Sequence, residues 1–149
     1  PSSHPLDNNK WSLVGDGAAT LTTFLLALSN HNPRNLMKRG WKKRKSATEV
    51  NRDLWDGVNT LSDEVEQMAQ RGLANLGSVT NWQRSRLKGE KNLMLIHANF
   101  NNDELSLGIR NSGTQAKISV SLRLSSSTNI DGLDRLVDTL VDHLKMKMG

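Results

Sequence analysis

The chain of 149 residues carries 20 Lys or Arg against 15 Asp or Glu, for a formal net charge of +5 and a pI of about 9.8. It has no cysteine, which excludes disulfides and thiolate zinc sites, and its longest apolar run, Phe24–Leu28, is far short of the ~20 residues a membrane-spanning helix needs. A hydrophobic fraction of 36% and a mean hydropathy of -0.55 fit one polar domain over residues 1–149, too apolar for a disordered chain.

Pro1–Pro5 lacks signal-peptide character, and residues 1–9 read as a flexible N-terminal arm. Lys10–Val14 reads as a short strand. Asp16 can cap a helix over Ala18–Leu28, where Leu21, Phe24, Leu25 and Leu28 recur at helical spacing. Asn30–Pro33 breaks it, and Pro33 suits the first position of a second helix capped by Asn32. That helix would be basic: Arg34, Lys38, Arg39, Lys42, Lys43, Arg44 and Lys45 crowd twelve residues around Trp41.

Ser46-Ala47-Thr48-Glu49 has the form of a capping box. It precedes an apolar stripe through Val50, Leu54, Val58, Leu61, Val65 and Met68, with Gly77 as a stop signal. Residues 10–77 are therefore expected to be mainly helical. Ser78–Lys91 is polar and basic, holding Trp82, Arg84, Arg86, Lys88 and Lys91.

An antiparallel meander follows in Asn92–Phe100, Glu104–Arg110 and Gln115–Leu124, joined by turns at Asn101–Asp103 and Asn111–Gly113. Along the third strand Ala116, Ile118, Val120, Leu122 and Leu124 share one face. Lys117, Ser119, Ser121, Arg123 and Ser125 share the other. The second strand matches, with Leu105, Leu107 and Ile109 against Glu104, Ser106, Gly108 and Arg110. One side of the sheet is thus a core wall and the other is small, hydroxylated and cationic. Ser125–Asn129 reads as a loop before a last amphipathic helix. There Ile130, Leu133, Leu136, Val137, Leu140, Val141 and Leu144 oppose Asp131, Asp134, Asp138 and Asp142. Residues 92–149 form the sheet and this helix.

The expected fold class is α+β, with a helical N-terminal half, an antiparallel β-meander of three or more strands and a C-terminal amphipathic helix. The layout of Lys91–Met148 is similar to that of several dimeric nucleic-acid binders, including coactivator-like single-strand binders and plant-viral small-RNA-sequestering proteins. The apolar stripes exceed what a small sheet can bury, so a homo-oligomer through helices 50–76 and 130–147 is expected.

The basic residues point to a polyanion, and nucleic acid, RNA favoured over DNA, is preferred over an anionic membrane surface. The residues expected to bind it, through the phosphate backbone without strong sequence specificity, are Arg34, Lys38, Arg39, Trp41, Lys42, Lys43, Arg44, Lys45, Trp82, Arg84, Arg86, Lys88, Lys117 and Arg123. Trp41 and Trp82 would stack on bases. The alternatives are a small viral coat, nucleocapsid or matrix protein using the same patch, and a nuclear-targeted adaptor addressed by Lys42–Lys45. The compartment expected is intracellular, cytoplasmic or nuclear, or a virion. His4, His31, His97 and His143 are scattered, with no zinc spacing, nucleophile elbow or phosphate loop, so no enzyme, metal or cofactor is expected.

Overall fold

A computed structural model describes residues 2–6, 10–14, 40–126 and 130–149, divided into two compact units, residues 1–38 and 39–149. In the first unit, β1 (Ser2–Leu6) pairs antiparallel with β2 (Lys10–Val14). The expected strand at 10–14 is there, and part of the expected arm forms its partner. The expected helix over Ala18–Leu28 and the beginning of the basic helix lie outside the described residues.

The second unit holds a five-stranded antiparallel sheet and two α-helices. Its strands are β3 (Lys42–Thr48), β4 (Val79–Ser85), β5 (Leu93–Phe100), β6 (Asp103–Asn111) and β7 (Lys117–Leu124), in the order β3-β7-β6-β5-β4. The helices α1 (Thr60–Ala74) and α2 (Leu133–Met148) pack on one another, α1 against β4 and α2 against β3 and β7. Between helices and sheet lies one apolar core, including Ile96, Phe100, Leu107, Ile109, Val120 and Leu122 from the strands and Val65, Leu73, Val137 and Leu144 from the helices.

The described residues do not support a helical N-terminal half: residues 2–6, 10–14 and 42–48 are strands, and α1 is the one α-helix described before residue 78. Lys42–Thr48 is an edge strand, where a helix was expected. In a helix, like charges three and four residues apart would repel on one face. In a strand, successive side chains point to opposite faces, so the run is divided and half of it meets the carboxylates of α2. The apparent capping box does not cap. Ser46 Oγ is 2.8 Å from Ser119 Oγ across the strands, and Glu49 has a φ of 62°. Gly57, at φ 76°, interrupts the apolar stripe; a β-carbon there would lie 3.2 Å from the Leu93 carbonyl. Helix α1 begins only after Asn59, whose Oδ1 accepts from the Ser62 amide and hydroxyl.

The basic segment after Gly77 supplies the fifth strand, β4, whose pairing with β5 is interrupted by an irregularity between Thr80 and Gln83. The turn between β5 and β6 is as expected, with Asn101 and Asn102 both at positive φ, 49° and 72°. The apolar face of α2 is covered within the chain. Leu133, Val137, Leu140, Val141, Leu144 and Met148 are all buried in the core. Leu61, Met68 and Leu136 are only partly buried, and Leu54 and Val58 are exposed. Among the described residues no helix is long and apolar enough to cross a membrane.

Candidate nucleic-acid interface

With both helices on one side, no element described within residues 40–149 covers the other side of the five-stranded sheet. Strand register fixes what it presents. Lys42 of β3 is opposite Arg123 of β7, which is opposite Ser106 of β6, then His97 of β5. The next row runs Arg44, Ser121, Gly108 and Leu95, and the next Ser46, Ser119, Arg110 and Leu93. Lys117 is opposite Thr48 at the end of β7. Along β7 the sequence cation, serine, serine, cation from Lys117 to Arg123 covers about 20 Å. No Phe or Trp within residues 40–126 and 130–149 stands on this face. Phe100 and Trp55 are buried, Trp41 packs against the core, and Trp82 faces α1.

The two faces treat their cations differently. On the helix side, Lys43 Nζ lies 3.5 Å from Asp134 Oδ1, and Lys45 Nζ lies 3.1 Å and 3.6 Å from Asp138 and Asp142. The hydrogen bond with Asp138, joined by the charges of Asp138 and Asp142, outweighs desolvation and raises the Lys45 pKa above its ordinary 10.5. Arg84 Nη1 donates to Asp63 Oδ1 at 2.6 Å and Glu66 Oε2 at 2.8 Å, and Nη2 donates to the Gly57 carbonyl at 2.6 Å. The Trp82 indole N–H donates to Glu66 Oε1 at 2.8 Å. These groups fasten the helices to the sheet.

On the open side, Lys42, Arg44, Lys117 and Arg123 have no carboxylate within ion-pair distance among the described residues. Arg110 alone is paired, with Nη2 3.1 Å from Glu90 Oε2. Arg44 Nη2 reaches only a serine, Ser119 Oγ, at 3.5 Å. Lys42 and Arg123 are direct cross-strand neighbours of like charge, an arrangement that costs stability unless an anion joins them.

Of the residues expected to bind, the structure brings together Lys42, Arg44, Lys117 and Arg123. It sends Lys43, Lys45, Trp82 and Arg84 to the helix side and leaves Trp41 half-buried on the core. Arg86 and Lys88 are exposed beyond the end of β4, away from the cationic strands. Arg34, Lys38 and Arg39 lie outside the described residues. Sequence reasoning placed Ser106, Gly108 and Arg110 on the polar face but did not count them in the site. Their signal was the alternation along β6, which aligns them with Arg123, Ser121 and Ser119 once the register is known.

Gly108 is the barest point of this face. It sits inside the central strand, flanked by Ser121 and Leu95, and does not have a left-handed φ. A β-carbon there would meet only Leu95 Cδ1, at 3.9 Å, so no neighbour excludes a side chain. Glycine inside a strand costs about 0.5–1 kcal/mol relative to alanine and often marks close approach by a ligand.

No protein-family model matches the chain, and no curated protein matches it.

Proposed function

We propose that the chain binds the sugar–phosphate backbone of nucleic acid, RNA in preference to DNA, across the open face of the sheet. The observation that carries this reading is the unequal partnering of the cations. Those facing the helices have carboxylates, and Lys42, Arg44, Lys117 and Arg123, facing outward, have none among the described residues. Phosphates would neutralise them and relieve the Lys42–Arg123 repulsion. The serine hydroxyls between them suit sugar and phosphate oxygens, and a ribose 2′-hydroxyl gives them one more partner than deoxyribose does. A face without Phe or Trp supports backbone contact in place of base stacking. Base stacking by Trp82 has no support in its position, because its N–H is engaged with Glu66.

The test is the affinity for RNA and DNA, single- and double-stranded, as a function of salt. Four phosphate contacts correspond to a slope of log K against log salt of about −3 to −4. Replacing all four open-face cations with alanine should bring binding near zero at low salt. A slope near zero in the wild type, or unchanged binding in the quadruple variant, would refute the reading.

A further inference from the structure

At one end of the open face, three cations from three adjacent strands converge: Arg44 from β3, Lys117 from β7 and Arg110 from β6. They line a concavity of about 450 Å³ whose lining holds no carboxylate. Ser119 forms its floor, and only 7% of it is exposed. Ser112, Gly113, Thr114 and Gln115 of the β6–β7 turn line its far side. Ser112 Oγ accepts from the Thr114 and Gln115 amides at 3.4 and 3.2 Å, and the Arg52 guanidinium donates to the Gly113 carbonyl from behind. Arg44 and Lys117 have no ion-pair partner among the described residues, and the Arg110 charge is shared with Glu90 alone.

We propose that this concavity holds the terminal phosphate monoester of a nucleic-acid strand lying on the open face. The proposal rests on the backbone-binding reading above and adds which part of the strand is recognised. A phosphodiester bears one negative charge; a monoester bears about −1.5 to −2 at neutral pH and offers three acceptor oxygens. Three converging cations with one carboxylate between them match the monoester better. The concavity lies where β6 ends and β7 begins, so a strand that ends there would place its terminal group among these cations. Arg44 offers a planar fork to two oxygens, and Lys117 a compact charge to the third.

The experiment compares one RNA sequence carrying a 5′-phosphate, a 3′-phosphate or hydroxyl ends, each single-stranded and as a duplex. Wild type should bind one phosphate-ended form roughly tenfold more tightly than the hydroxyl-ended form. In Arg44→Ala with Lys117→Ala the ratio should fall to about one. In Lys42→Ala with Arg123→Ala, at the other end of the face, both affinities should drop while the ratio persists. Wild-type binding of RNA with a ratio near one would overturn the end-phosphate proposal and leave the backbone reading standing. No binding of any RNA form would remove both. Inorganic phosphate provides the remaining arm. If it alone saturates the Lys117 and Ser119 amide shifts at micromolar concentration, the pocket belongs to free phosphate and the strand-end assignment falls.

Discussion

Filling the bare centre of the open face should separate stability from binding. Gly108→Ala adds one methyl group to the central strand, in ordinary contact with Leu95 Cδ1 at 3.9 Å and with no backbone strain to relieve or create. The gain in stability should be about 0.5–1 kcal/mol, since alanine loses less conformational freedom on folding. Gly108→Val should gain at least as much, because β-branched side chains suit a strand between paired neighbours. For a unit of this size that raises Tm by about 2–8 °C. Binding should move the other way. A β-carbon at 108 holds the ligand off the Ser121 row, and losing one neutral hydrogen bond of about 1 kcal/mol weakens affinity roughly fivefold. Valine should cost more than alanine. Thermal unfolding by circular dichroism and RNA binding by fluorescence anisotropy measure the two effects on the same samples. A variant that is more stable and binds as tightly as wild type would show that nothing approaches Gly108. A destabilised Gly108→Ala would refute the account of the strand itself.

Three further outcomes follow from the helix side of the sheet. Arg84→Ala should destabilise the fold by about 1–3 kcal/mol, leaving half-buried Glu66 and the Gly57 carbonyl without their donor, and should leave RNA affinity nearly unchanged; equilibrium urea unfolding and anisotropy decide it. Trp82→Phe removes the indole donor to Glu66 and should cost about 1 kcal/mol of stability with no loss of RNA binding, whereas weakened binding in a folded variant would restore a stacking role. The third outcome concerns pH. Because the folded-state pKa of Lys45 is raised above 10.5 by Asp138 first and then Asp142, its contribution is complete below that value and is lost as pH rises through the folded pKa. The chain has no tyrosine to titrate in the same range. Wild type should therefore lose stability above pH 10.5 more steeply than Lys45→Gln, and parallel curves would contradict the clasp.

What could be read from the sequence depended on period. The meander from residue 92 onward was legible because Ile118, Val120, Leu122 and Leu124 alternate with Ser119, Ser121 and Arg123, a pattern that only a strand turns into two faces. The last helix was legible for the same reason at a period of 3.6. The end of the basic run, Lys42–Lys45, was misread because seven cations in twelve residues carry almost no apolar signal. The stripe from Arg34 to Lys45 fitted a helix as well as alternation fitted a strand. What decides the matter is remote in sequence, namely the free edge of β7 and the aspartates of α2, both far downstream. Tertiary partners also explain Val50, Leu54 and Val58. They continued a helical period on paper, yet Val50 is buried in the core while Leu54 and Val58 remain exposed around the Gly57 turn. The site was half legible. The polar face of β6 and β7, with Lys117 and Arg123 on it, was visible, but that Lys42 and Arg44 join it depended on a strand pairing that no local pattern encodes.

Alternation along β3 provides the most direct test, because neighbours in one basic run should have opposite roles. Lys42→Ala with Arg44→Ala removes two outward cations, and Lys43→Ala with Lys45→Ala removes two that hold α2. Net charge falls by the same amount in both variants, so a diffuse electrostatic attraction would weaken RNA binding equally. The measurement is RNA affinity at several salt concentrations, with unfolding free energy measured alongside. The account predicts that the 42/44 variant loses affinity, reduces the salt slope by about two and keeps its stability. The 43/45 variant should lose stability and bind, while folded, nearly as tightly as wild type. Equal loss of binding in both variants, or the reverse order, would contradict the assignment of the open sheet face as the nucleic-acid surface.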